Sequence, residues 1–114
     1  MENTALILID LQNDYFRSFE GAKWQLNETE KAASNALKIL TKFREKNMKI
    51  VHVRHEFAIE NPPFFAPNSQ GAKIHDTLTP KENESQILKH NVNAFKDTNL
   101  KEILDDSNIT NVII

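Results

Sequence analysis

Cysteine is absent from this sequence of 114 residues, and glycine occurs only at Gly21 and Gly71. Without cysteine, these residues cannot hold a disulfide framework, a thiolate metal site or a cysteine nucleophile. Two isolated glycines cannot form a phosphate-binding P-loop or the glycine-rich turn of a dinucleotide site. Several widespread kinds of binding and catalytic site are therefore excluded from these residues.

Long apolar segments and runs of like charge are also missing. There are 14 Lys and Arg against 16 Asp and Glu, interspersed along the chain, for a net charge of −2. Because no basic stripe with interleaved aromatics is present, we expect no nucleic-acid partner. No segment approaches the roughly 20 apolar residues that cross a bilayer, and no secretory signal is recognisable. We therefore expect no membrane partner, and a single cytoplasmic domain over residues 1–114.

The stretch around which the chain is organised is LILIDLQND, residues 6–14. Its four consecutive aliphatic residues predict a short strand that is buried on both faces of a parallel sheet. Asp10 follows at the carboxyl end of this strand, where open α/β sheets bind their ligands. Its carboxylate is therefore a candidate for chemistry, although an aspartate that only caps the next turn is the alternative.

A helix and a second strand are predicted next. Asn27 and Glu30 have the spacing of a capping box, and the apolar residues after them predict a helix of about four turns. These apolar residues are Ala33, Ala36, Leu37, Leu40 and Phe43. Asn47 is a candidate left-handed stop, and KIVHVR at residues 49–54 predicts a strand parallel to the first.

Two loops carry aromatic residues. Residues 15–26 contain Phe16 and Trp24, and residues 56–84 contain Phe65 together with all four prolines, which argue against regular structure there. A loop of this length in a compact domain is usually functional or disordered. The rings are therefore candidates for a pocket wall, or they cover the end of the core.

The last third of the chain predicts two more strands and a short helix. QILK at residues 86–89 predicts a third strand that ends at Lys89, and Asn99 and Glu102 predict a second cap. NVII at residues 111–114 predicts a fourth, buried strand. Because an apolar strand with nothing after it would expose an edge prone to aggregation, we expect the natural chain to continue beyond residue 114.

Eight short motifs occur in order along almost the whole chain. They are DLQNDYF at residues 10–16, VHVRH at 51–55, FAP at 65–67, GAKIH at 71–75, ILK at 87–89, NAF at 93–95, TNL at 98–100 and VII at 112–114. Together they resemble the isochorismatase-like family of cysteine hydrolases, which includes nicotinamidases and carbamoylsarcosine-type amidases. The resemblance implies an α/β fold, a three-layer α/β/α Rossmann-like arrangement around a parallel sheet of six strands, whose last strands are missing from this sequence.

The resemblance also implies a function. In this family the catalytic triad is Asp, Lys and Cys; the first two match Asp10 and Lys89, and the Cys would lie beyond Ile114. It implies a hydrolase of a small carbonyl, amide or vinyl-ether substrate, without a cofactor and commonly a dimer or tetramer. The competing hypothesis is a catalytically inactive fragment or binding module that keeps the fold and associates through residues 112–114.

Four residues are candidates for substrate binding: Phe16, Trp24, His55 and Phe65. His55 ends the second strand, where it faces either the pocket or the surface. Nicotinamidases carry an Asp-x-His metal motif at this place, and this sequence has His52 and His55 instead. Residues three apart on a strand point to opposite faces, so we expect no metal site there.

Three polar residues have alternative roles. Lys89 could be an ordinary solvated lysine, but it ends an apolar strand and matches the family's triad. A lysine and an aspartate brought together in a closed site favour each other's charged forms. Gln12 and Asp14 are expected to fix the turn after the first strand by hydrogen bonds.

Overall fold

A computed structural model describes residues 3–114 as a four-stranded parallel sheet with the strand order β3-β2-β1-β4. The strands are β1 (Thr4–Ile9), β2 (Lys49–His55), β3 (Ser85–Lys89) and β4 (Asn111–Ile113). Helix α1 (Thr29–Glu45) follows β1, and helix α2 (Leu100–Asp106) precedes β4. The predicted parallel strands are thus confirmed, with β1 beginning two residues earlier than expected.

Strand β1 lies in the middle of the sheet because its aliphatic residues can be buried on both faces. Leu6 and Leu8 point towards α1 and join a core cluster with Leu40 and Phe43 of that helix. The alternate residues of β1, Ala5 and Ile7, point to the other face of the sheet and pack with α2. This second cluster contains Ala5, Ile7, Val51, Val53, Ile87, Ala94, Leu100 and Leu104. The sheet therefore has a helix on each face, which confirms the three-layer α/β/α arrangement.

The predicted N-terminal caps of both helices are wrong, whereas Asn47 after α1 has the predicted left-handed conformation, with a φ of 54°. Helix α1 is preceded by Glu28 in a left-handed conformation, and the Glu28 side chain makes no capping hydrogen bond. Asn27 instead accepts a hydrogen bond from Arg17, and Glu30 accepts one from the backbone N–H of Ser18. Both capping-box side chains are thus used to tie the preceding loop to the helix. Asn99 likewise makes no side-chain cap for α2.

Strand β4 is an edge strand and is not buried, which corrects the sequence-based expectation. It pairs with β1 in parallel, with Ala5 opposite Val112. Val112 and Ile113 remain 43% and 39% exposed because no described residue covers or pairs with their other side. Across residues 3–114, neither helix is long and apolar enough to cross a membrane.

The long loop between β2 and β3 folds back over the carboxyl edge of the sheet. Its regular structure is limited to a 3₁₀ turn at Asp76–Leu78 and an isolated antiparallel bridge between Ile74 and Gln12. This bridge fastens the loop to the turn that follows β1. The expected scarcity of regular structure is confirmed, and the loop is held by contacts with the segment beside Asp10.

Candidate active site

The candidate site lies where three neighbouring strands end. Asp10 directly follows β1, His55 is the last residue of β2, and Lys89 is the last residue of β3. His55 and Lys89 are opposite each other in the parallel register. Because parallel strands end at the same edge, three polar residues that are far apart in the sequence are brought together.

The backbone leaves the direction of β1 at Asp10. Its φ of 61° is left-handed, and its backbone N–H donates to the Val53 carbonyl at 3.0 Å. Oδ1 lies 3.4 Å from Lys89 Nζ, which is an ion-pair distance. The same oxygen is buried and has no aligned hydrogen-bond partner among residues 3–114. Oδ1 therefore does not cap the turn and stays free to accept a proton or a hydrogen bond.

Lys89 is buried, with only 3% of its surface exposed. Its ammonium donates to the Asn91 carbonyl at 3.1 Å and contacts His55 Nδ1 at 3.0 Å, in addition to the nearby Asp10 carboxylate. A buried charge is tolerated only when it is paired and hydrogen-bonded. Lys89 is therefore not a solvated surface lysine, and its three neighbours direct it into the site.

The environment of His55 favours the neutral form of its imidazole. Burial, and then the positive charge of Lys89, lower the pKa of His55 below its ordinary value, while Asp10 partly opposes this shift. Nδ1 faces Lys89, and Nε2 is buried without a hydrogen-bond partner in the described part of the chain. The predicted opposite orientation of His52 is confirmed, because His52 Nε2 contacts Glu84 on the other face of β2.

An aromatic cluster lies beside these polar residues. Its members, from both loops, are Tyr15, Trp24, Phe57, Phe64 and Phe65. Trp24 is 51% exposed and stacks on Phe64 with ring centroids 5.0 Å apart. Phe65 lies 4.7 Å from Tyr15 and 6.3 Å from the ring of His55. Trp24, Phe65 and His55, three of the predicted binding residues, thus lie in or against one cluster.

The fourth predicted binding residue, Phe16, lies elsewhere. It is completely buried in the core on the α1 face, and its ring is 4.1 Å from that of His75. In contrast, Tyr15 and Phe57 belong to the cluster although neither was predicted to bind substrate. Burial and the negative charge of Asp10 raise the pKa of the Tyr15 phenol, so Tyr15 is part of the site's electrostatic environment. The position of Tyr15 within the DLQNDYF motif is the sequence feature that could have indicated this role.

Gln12 and Asp14 hold the surrounding loops, as expected. Gln12 Nε2 donates to the carbonyls of His55 at 2.8 Å and Ala72 at 2.6 Å, and Gln12 Oε1 accepts from the His55 N–H at 2.7 Å. The buried Asp14 carboxylate accepts from the N–H of Phe65 at 2.8 Å. Phe65 has a φ of 49°, which is unusual for a bulky residue. The hydrogen bond to Asp14 holds this strained residue in the aromatic cluster.

Neither Asp10 nor Lys89 lines either of two clefts formed by residues 3–114. One, of about 700 Å³, is at the opposite edge of the sheet and is lined by residues that include Arg44, Lys49 and Lys81. The other, of about 600 Å³, is bordered by parts of the long loop. The convergent polar groups at the carboxyl edge, and not the size of a cleft, define the candidate site. Among residues 3–114, no three His, Asp or Glu side chains are grouped to hold a metal ion.

Comparison with known proteins identifies the family. The sequence model of the isochorismatase domain matches residues 4–114. YddQ of Bacillus subtilis, described as an uncharacterized isochorismatase family protein, is 39% identical over 111 residues, which are 97% of this chain and 60% of YddQ. The secreted isochorismatase effector Isc1 of Verticillium dahliae is 37% identical over 113 residues, covering 99% of this chain and 57% of Isc1. A more distant match, 27% identical, is described as a probable inactive nicotinamidase of Arabidopsis thaliana.

A solved structure gives the same assignment. The crystal structure of an isochorismatase-type hydrolase from Oleispira antarctica superposes with a TM-score of 0.93 at 50% identity, over 97% of this chain and 58% of that one. The chain thus spans about three fifths of the length of YddQ, Isc1 and the Oleispira protein. Sequence, fold and family model agree that the chain belongs to the isochorismatase family.

Proposed function

We propose that Asp10 and Lys89 are two members of an Asp-Lys-Cys triad in a hydrolase of small carbonyl, amide or vinyl-ether substrates. The cysteine of this triad lies beyond Ile114 in the complete protein. The observation that carries the proposal is the ion pair at the carboxyl edge, in which a buried ammonium lies 3.4 Å from an Asp10 oxygen that has no hydrogen-bond partner in the described part of the chain. A purely structural ion pair would not need to leave a buried carboxylate oxygen without an aligned hydrogen bond.

The chemistry assigns a role to each group. A thiol is only a few per cent thiolate at neutral pH, so it needs a base or a nearby cation for activation. Asp10 accepts the thiol proton, and the Lys89 ammonium stabilises the neighbouring negative charges. With an amide, the thiolate adds to the carbonyl, the protonated Asp10 gives its proton to the departing amine, and water hydrolyses the resulting thioester. With a vinyl ether, proton donation by Asp10 carries more of the reaction.

The aromatic cluster supports a small, partly apolar substrate. Trp24 presents an exposed ring at the rim, and Phe65 brings a second ring close to His55. Ligand sites typically combine such apolar walls with a few convergent polar groups. The wall therefore binds the body of the substrate while Asp10 and Lys89 act on its reacting bond.

The test uses the protein encoded by the complete gene, screened against amides, carbamoyl compounds and isochorismate. Once a substrate is found, Asp10→Asn should lower kcat by about 10²–10⁴-fold, because a nearly isosteric amide cannot accept the thiol proton. Alkylation of the thiol should also abolish turnover. The matched control is Asp105→Asn, which changes an exposed carboxylate in the Lys101–Asp105 pair and should leave kcat unchanged. Full activity in Asp10→Asn would remove Asp10 from the triad.

A catalytically inactive module is the second candidate. The observation that favours it is the exposed β4 edge, where Val112 and Ile113 offer an association surface, and one matched relative is itself described as inactive. The intact mass of the natural protein separates the two candidates, because a protein that ends at Ile114 has no thiol to activate. The cytoplasmic location and the dimeric or tetrameric state stay predictions.

A further inference from the structure

The lysine of the proposed triad has an unusual third neighbour. Besides the Asn91 carbonyl and the Asp10 carboxylate, the Lys89 ammonium meets a ring nitrogen, His55 Nδ1, at 3.0 Å. An ammonium has three N–H donors and no lone pair. Lys89 thus has one acceptor within reach of each of its three N–H donors. The contacts with His55 and Asn91 therefore set the direction of the N–H that faces Asp10.

This arrangement determines where His55 carries its proton. Because Lys89 can only donate, His55 Nδ1 must present its lone pair, and the single ring proton must be on Nε2. A doubly protonated His55 would bring N–H against N–H and a second positive charge against Lys89. The titratable groups around the ring are Lys89 on β3, Asp10 after β1 and His90 after β3, and burial together with Lys89 favours the neutral ring.

The ring of His55 is also fixed in place. Its backbone N–H and carbonyl are both bound by the side-chain amide of Gln12. The ring itself packs edge-on against Phe57 with centroids 4.5 Å apart. Gln12 thus fixes the backbone of His55, and Phe57 restricts the movement of its ring. Nδ1 therefore keeps its position beside the Lys89 ammonium.

We propose that His55 is a positioning residue, whose neutral Nε2–H tautomer accepts a hydrogen bond from Lys89 through Nδ1 and thereby aims the Lys89 ammonium at Asp10. The inference deepens the proposed function and rests on it for its effect on turnover. The tautomer and the Lys89 contact are properties of the folded chain and can be measured without a substrate.

The first experiment is nitrogen-15 NMR of the uniformly labelled protein, with the four histidines distinguished by the spectrum of a His55→Asn variant. At pH 7 we expect His55 to be neutral, with its proton on Nε2. A proton on Nδ1, or a doubly protonated ring at pH 7, would overturn the proposal. This readout is independent of activity, so it stands even if the Asp10 variant shows the proposed function to be wrong.

The second experiment compares two substitutions of similar size in the complete protein. His55→Leu removes the acceptor, and we expect kcat to fall by on the order of tenfold or more while KM changes little, as for other residues that orient a functional group. His55→Asn can place its side-chain oxygen where Nδ1 lies and should restore most of kcat. Equal losses in both variants, or a loss confined to KM, would contradict positioning through Lys89. If His55→Leu does not fold, the NMR measurement of the His55 tautomer tests the proposal.

Discussion

Gly71 packs directly against the carboxylate of Asp14, and this contact leaves no room for a side chain. A Cβ at position 71 would overlap with the carboxylate atoms of Asp14. The backbones also join, because the Asp14 N–H donates to the Gly71 carbonyl at 2.9 Å. Since Asp14 in turn holds the N–H of Phe65, the absence of a side chain at Gly71 helps to position the aromatic cluster.

We predict that Gly71→Ala destabilises the protein by about 1–3 kcal/mol, the usual cost of overpacking a tight site. Chemical denaturation measures the change. Gly21→Ala is the control: its Cβ would meet no atom within 4 Å, so it should show only the cost of its positive φ. On an Asp14→Ala background the cost of Gly71→Ala should shrink, because the overlapping carboxylate is gone. Equal costs on both backgrounds would contradict the proposed overlap.

At the scale of elements, a buried ionic cluster joins α1, β2 and the approach to β3. Arg44 of α1 donates to Glu84 through Nε at 2.6 Å and through Nη2 at 2.8 Å, and His52 Nε2 lies 2.8 Å from Glu84 Oε1. Burial lowers the pKa of His52, so its ring is neutral and donates from Nε2. Burial alone would raise the pKa of Glu84, but hydrogen bonds from Arg44, the Lys81 N–H and His52 lower it to about 2.

The low pKa of Glu84 predicts how stability depends on pH. The unfolded chain binds a proton near the ordinary pKa of 4.5 and the folded chain only near 2, so the stabilisation is present above pH 4.5 and is lost as pH falls towards 2. This stabilisation is on the order of 3 kcal/mol at neutral pH. As pH falls from 4.5 to 2, the free energy of unfolding of the wild type should therefore fall towards that of Glu84→Gln.

Glu102→Gln, which changes an exposed glutamate of α2, is the control for this pH series and should follow the wild type throughout. The contribution of His52 acts in the same direction at higher pH, because its lowered pKa makes the unfolded chain the stronger proton binder below about 6.5. A difference between Glu84→Gln and the wild type that does not change with pH would show that Glu84 is not an ionised partner of Arg44.

The strands and the left-handed Asn47 after α1 could be predicted from the sequence, whereas the N-terminal caps and the loop contacts could not. Aliphatic runs that end in Asp10 and Lys89 predict buried strands and the edge at which they end, but the family resemblance was needed to pair the two residues. Asn27 matched a capping pattern, but the loop-forming Arg17 recruits its side chain instead. Tyr15 joins the aromatic cluster only through the path of two long loops. Such paths depend on tertiary contacts, which no local periodicity encodes.

At the scale of the whole molecule, residues 3–114 leave one edge of the sheet exposed and apolar. Strand β3 forms the other edge, where the exposed residues are the polar Gln86 and the apolar Leu88, which is 38% exposed. Strand β4 instead presents Val112 and Ile113, and Ile114 beyond it is 76% exposed. Exposed apolar edge strands are templates for pairing with another chain, and natural proteins commonly protect them with lysine or proline. The 114-residue chain should therefore associate through β4.

We predict that Val112→Lys weakens this association, because a lysine on an edge strand must be desolvated before a second strand can pair with it. Sedimentation velocity over a range of concentrations of the 114-residue chain measures the effect. Val92→Lys is the matched control, since Val92 is 95% exposed but lies outside every strand and should not change association. If both lysines weaken association equally, overall charge and not the strand edge governs it. If neither does, the chain associates through another surface or not at all, and the inactive-module hypothesis loses the surface on which it depends.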